Sequence, residues 1–128
     1  MNLDFVEDNE ILHRALKPNP TFWSTKDNRP TSALFKDSKG VSADRTGSRS
    51  ESEIRNSMLT KFPGLLGEIQ VLTLDCRKLF CKVEPDPLVD NLFHALIKGD
   101  ENIQLSNNQA RQLAKLCKFI KYDRNPQL

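Results

Sequence analysis

The sequence predicts an α+β fold: a mostly antiparallel sheet of about five or six strands, with two main helices packed on one of its faces. Three observations carry that expectation. Apolar residues recur at period two in several short runs, the pattern of half-buried strands. Two segments show helical spacing, and each opens on a capping box, Ser50-Glu-Ser-Glu53 and Ser106-Asn-Asn-Gln109. The elements follow one another as strands, helix, strands, helix, which leaves too few crossover helices for a parallel doubly wound sheet.

Glu10 to Leu16 makes the first strand, and Pro18 and Pro20 end it because proline donates no ladder hydrogen bond. Phe22 and Trp23 follow in a turn-rich stretch, where their large area suits a lid on the core. Thr31 to Lys36 reads as a strand entered by Pro30. A short strand at Val41 to Asp44 lies inside segment 37–52, whose Ser, Gly, Asp and Arg content is that of a mobile loop. Ile54, Met58, Leu59 and Phe62 place a helix over 51–61, closed by Pro63-Gly64. Leu65 to Leu74 and Lys78 to Glu84 alternate as strands, joined by a hairpin at Asp75-Cys-Arg-Lys78. Pro85-Asp-Pro87 breaks the second of them. Asn91 to Gly99 sets Phe93, Ala95 and Ile97 against His94, Leu96 and Lys98, a further strand.

The last helix opens at Ser106. Its apolar face runs through Ala110, Leu113, Leu116 and Ile120, and Tyr122 lies in the same helix. Arg111, Lys115, Lys118 and Lys121 form its basic side, extended by Arg124. Such a stripe tracks phosphates or is simply a solvated face suited to the helix dipole. The expected core draws on Leu12, Phe35, Ile54, Met58, Ile69, Val71, Leu79, Val83, Phe93, Ile97, Leu113, Leu116 and Ile120.

A chain of 128 residues is one domain and can bury a core without disulfides. The 19 basic and 17 acidic side chains nearly cancel, so only local clustering speaks of partners. Three cysteines without a framework spacing point to free thiols in a reducing compartment. No apolar run approaches the roughly 20 residues that span a bilayer, and the acidic N-terminus is unlike a signal peptide. The expectation is a cytoplasmic protein with no membrane partner and no cofactor.

Phosphate loops, paired histidine ligands and nucleophile elbows are absent. Cys76 and Cys81, with His94 or Cys117, are the nearest thing to a metal grouping. Their spacing fits ordinary half-buried thiols better than a zinc knuckle, so no metal site is expected. The chemistry concentrates instead in Arg29-Pro-Thr-Ser-Ala-Leu-Phe-Lys36 and Gly40-Val-Ser-Ala-Asp-Arg45. That stretch is either a solvated hairpin or the wall of a site. Arg14, Arg29, Lys36 and Arg45 supply phosphate-binding cations, Ser32 and Ser42 supply hydroxyl donors, and Asp44 lies among them. His94 is the candidate general acid or base, or else a structural histidine bonded to a neighbour. His13 and Arg14, adjacent on a strand, point to opposite faces, so only one of them enters a given site.

Together these residues form the inventory of a metal-independent phosphodiester or nucleotide-processing site that binds RNA or a nucleotide. The alternative is a noncatalytic partner-binding subunit of a multi-protein bacterial system, whose ligand is another protein. Leu12-His-Arg14, Arg29-Pro-Thr-Ser-Ala-Leu-Phe-Lys36, Gly40-Val-Ser-Ala-Asp-Arg45 and Asn91-Leu-Phe-His-Ala95 with Gly99 also resemble a group of small uncharacterised bacterial proteins. The resemblance covers about residues 11–120. It implies a family rather than an activity, and it implies that Arg29, Ser32, Phe35, Ser42, Asp44 and His94 belong together.

Overall fold

Leu12 and Leu16 turn one face of the first strand inward, and His13 and Ala15 turn the other, so both faces of the sheet need cover. The computed structural model describes residues 1–123. In chain order the elements are β1 (Ile11–Leu16), β2 (Trp23–Ser24), β3 (Arg29–Pro30), β4 (Val41–Arg45), α1 (Glu51–Lys61), β5 (Gly67–Leu72), α2 (Thr73–Lys78), β6 (Lys82–Pro85), β7 (His94–Lys98), α3 (Asn107–Leu116) and β8 (Lys118–Lys121). Six strands build one antiparallel sheet in the order β6-β7-β4-β1-β5-β8, while β2 and β3 form a separate hairpin. The fold is α+β, as expected. No helix among the described residues is long and apolar enough to cross a membrane.

The helices lie on both faces of the sheet rather than on one. Leu12, Leu16, Ile69, Val71, Val41 and Ile97 bury their face beneath Cys76 of α2 and Ala110, Leu113 and Ala114 of α3. Ile54 and Met58, one helical turn apart on α1, cover the opposite face with Leu65, Tyr122, Ala15 and Ile120. Both helices begin on the capping boxes, with Ser50 accepting from the Glu53 amide and Ser106 from the Gln109 amide. Trp23 packs on Phe119 with ring centroids 5.0 Å apart, and Phe22 also lies against the core.

Three segments depart from the local reading. Residues 31–36 form a 3-10 turn, Ser32–Phe35, in place of a strand. Leu34 and Phe35 are both buried, and a tight turn can bury two consecutive side chains that a strand would split between its faces. The expected hairpin at 75–78 is helix α2, anchored where Thr73 Oγ1 donates to the Glu10 carbonyl at 2.7 Å. The following strand therefore starts only at Lys82.

The last helix stops at Leu116, and 118–121 pairs with β5 as an edge strand. This places Ile120 against α1, leads Tyr122 into the same buried cluster, and leaves Leu116 54% exposed, outside the core. Of the basic stripe, Arg111 and Lys115 are on α3, Lys118 and Lys121 are on β8, and Arg124 lies outside the described residues. Segment 37–52 carries β4, held between β7 and β1.

Candidate functional site

A cleft opens where two central strands part. β1 pairs with β5 over six residues but with β4 only at Leu12↔Arg45 and His13↔Asp44. Beyond that point a cavity of about 500 Å³ lies at the split, flanked by Met58 and Lys61 of α1, by Phe62 just after it, and by Leu88, Asp90 and Asn91. His13, Asp44 and His94 are register partners across β1, β4 and β7, so they form one transverse row on the same face.

His94 is the member of that row with a ring nitrogen left unbonded among the described residues. Its Nδ1 bonds the Asp86 carboxylate at 2.9 Å and lies 3.2 Å from the Asp86 carbonyl. Both partners are acceptors, so Nδ1 donates, and Nε2 has no partner among the described residues. The ring is 15% exposed and lines the cleft. A carboxylate behind one ring nitrogen fixes the tautomer and orients the other nitrogen, the arrangement of a general base.

His13 is closed by contrast. Glu68 bonds its Nδ1, and its Nε2 donates to Thr46 Oγ1 at 2.7 Å, because that hydroxyl gives its own proton to the Ile11 carbonyl at 2.8 Å. Tyr122 donates to the other Glu68 oxygen at 2.9 Å. Burial and the Glu68 charge push the Tyr122 phenol well above its ordinary range. Only 3% of His13 is exposed, and its bonds brace the cleft wall.

Asp44, also buried, accepts from Asn91 Nδ2 at 2.8 Å and lies 3.7 Å from Lys61 Nζ. Arg14 enters the cleft as well, although it neighbours His13 on the strand. The parting of β1 from β4 lets its guanidinium donate to the Leu34 carbonyl at 2.9 Å and the Ser42 carbonyl at 2.7 Å. Two of its five donor hydrogens are thereby used. Burial lowers its pKa, opposed by Asp37.

The expected site residues fall into separate places. Arg14, Ser42, Asp44 and His94 share the cleft. Arg29 and Ser32 line a second cavity beside α3. Phe35 is core. Lys36 Nζ clamps the start of α3, donating to the Leu105 carbonyl at 2.7 Å and to Asn107 Oδ1 at 3.0 Å. Arg45 points to the opposite face, 2% exposed, where Glu10 and the carbonyls of Asn2 and Phe5 take its donors.

Asp86, Lys61, Asn91 and Glu68 complete the neighbourhood without having been singled out in the sequence. The one local signal was Asp86 between two prolines, eight residues before His94. Cys76, Cys81 and Cys117 are free. Burial pushes their thiols up to about 12, about 11 and about 11. Among the described residues no group of three or more His, Cys, Asp or Glu side chains is placed to hold a metal ion. No protein-family model, curated protein or solved structure matches this chain.

Proposed function

We propose that the cleft binds a phosphate-bearing ligand, RNA or a nucleotide, and that His94 is the proton-transfer group of a metal-independent phosphodiester or nucleotide-processing reaction. The observation that carries this reading is the unpaired Nε2 of a carboxylate-backed imidazole in a cleft that also holds Arg14 and Lys61. On RNA, His94 Nε2 takes the proton of the attacking 2′-hydroxyl. The 2′-oxygen bonds phosphorus, the bond from phosphorus to the 5′-oxygen breaks, and the Lys61 ammonium protonates the leaving oxygen. Solvent then resets both groups. Arg14 offers its remaining donors to the phosphate oxygens, where charge develops.

The test is cleavage of single-stranded RNA and of 2′,3′-cyclic nucleotides. His94→Gln lowers the rate by on the order of 100-fold or more. Asp86→Asn lowers it by a smaller factor, because the ring stays in place but loses its orienting charge. Both variants melt close to the parent, since neither side chain is in the core. Parent protein that leaves every such substrate intact overturns the reading.

A second reading, a noncatalytic partner-binding subunit, draws on the loop beside the cleft, where Leu88, Val89 and Leu92 are exposed. Exposed apolar side chains grouped on one loop suit a protein partner. Inactive parent protein whose complex with a partner is lost on Val89→Asp supports that reading instead.

A further inference from the structure

A second cavity of about 250 Å³ lies beside α3. Residues far apart in sequence meet there: Arg29 and Ser32 from the polar stretch, and Arg111 and Lys115, one turn apart on α3. The charged heads of Arg111 and Lys115 have no ion-pair or hydrogen-bond partner among the described residues. Among the described residues the one ion-pair contact of Arg29 is Asp27 Oδ2, at 3.8 Å. Ser32 Oγ has no hydrogen-bond partner among the described residues. Ser24 Oγ only accepts, from the Asp27 amide at 3.0 Å, so its proton remains to be given.

Three cations around one concavity, against a single carboxylate, repel one another unless an anion sits between them. Arginine forks beside hydroxyl donors are phosphate chemistry. A lining residue of one cavity is hydrogen-bonded to a lining residue of the other. Phe22 lines the His94 cleft and Thr31 the second cavity, and the Thr31 amide donates to the Phe22 carbonyl at 3.0 Å. The 3-10 turn also connects them, with Ser32 on the second cavity and Leu34 on the cleft, where its carbonyl holds Arg14. Ser32 and Leu34 are two residues apart, about 4 Å along the turn at about 2 Å of rise per residue.

We infer that the second cavity is a phosphate subsite for an RNA strand that continues out of the His94 cleft, so that the substrate is single-stranded RNA and not a mononucleotide. The inference rests on the proposed function for the identity of the cleft. A backbone that repeats its phosphates at fixed intervals can fill both cavities at once, whereas an acidic peptide has no such fixed repeat.

The experiment compares a labelled single-stranded oligoribonucleotide of about ten nucleotides with a dinucleotide, by fluorescence anisotropy over a salt series, on parent protein and on Arg111→Ala/Lys115→Ala. Both substituted side chains are exposed, and circular dichroism checks the fold. The parent is expected to bind the long RNA more tightly than the dinucleotide. The double variant should lose on the order of tenfold affinity for the long RNA and about 0.7–1.4 of salt slope, the share of one or two single-strand phosphates. Its dinucleotide binding should be unchanged. Asp27→Asn, which removes the opposing carboxylate, should tighten the long RNA.

Equal loss on both ligands, or no loss on either, overturns the subsite. So does a parent that binds polyglutamate through Arg111 and Lys115 but no RNA, which assigns the patch to an acidic protein. A parent that cleaves the dinucleotide without preferring longer RNA keeps the proposed function and sinks this inference. A parent that binds long RNA through the second cavity without cleaving it does the reverse.

Discussion

Tyr122 donates to Glu68, Glu68 bonds His13 Nδ1, and His13 Nε2 donates to Thr46, whose hydroxyl ends the chain on the Ile11 carbonyl. Every link is directional, so removing one partner strands the next. Glu68→Gln takes away the carboxylate that His13 faces, with both side chains about 5% exposed or less. A cost of about 3 kcal/mol is expected, as for a buried pair that loses one member. Tyr122→Phe removes a single neutral donor and should cost about 1 kcal/mol. Urea denaturation of the two variants checks both magnitudes. His94 differs in kind, because its backing carboxylate, Asp86, is 42% exposed and water can replace the bond. Stability loss at Glu68 and activity loss at His94 are thus separable results.

Strand β8 is the element whose place depends most on one neighbour. A Cβ added at Gly67 would stand 2.1 Å from the Ile120 carbonyl oxygen, backbone that cannot yield without moving the strand. Gly67→Ala should therefore displace β8 and destabilise the protein by about 1–3 kcal/mol. Phe119 moves with the strand, so the fluorescence of Trp23, the single tryptophan, should shift in the folded state. An unchanged spectrum together with unchanged stability would refute this account of the edge. The same logic explains α1. Its first turn is a capping box, and its last turn carries Met58 and Lys61 to the cleft, so the helix sets one wall of the site.

Across the whole molecule, burial holds the thiols and the phenol protonated. Cys76 is raised from 9.0 to about 12, and Tyr122 is raised from 10.0. Between the unfolded and folded values the unfolded chain has lost these protons and the folded chain keeps them. The folded state then binds more protons, and stability falls as pH rises. The contribution is whole below the unfolded values, begins to fail above 9.0, and is gone once pH passes the folded ones. Urea midpoints at about pH 8 and about pH 10.5 should show the decline, and Cys76→Ala should make it shallower. A midpoint that is flat over this range would show that the thiol and the phenol titrate alike in both states.

The sequence alone determined the features that rest on nearest neighbours along the chain. The starts of α1 and α3 were legible because a capping box is a contact between residues three apart. β1, β5 and β7 were legible because alternation is written into the chain itself. Tertiary structure decided what local pattern leaves open. Leu34-Phe35 could sit in a strand or a turn until the core took both side chains. Residues 117–121 could prolong a helix until β5 offered an unpaired edge and Trp23 a partner for Phe119. The candidate site divides in the same way. His94, Asp44, Ser42 and Arg14 were visible as residue types. Their meeting, the Asp86 carboxylate behind His94, and the removal of Arg45 to Glu10 on the other face follow from strand register and from the parting of β1 and β4. Those are contacts across the sheet, where sequence distance carries no information.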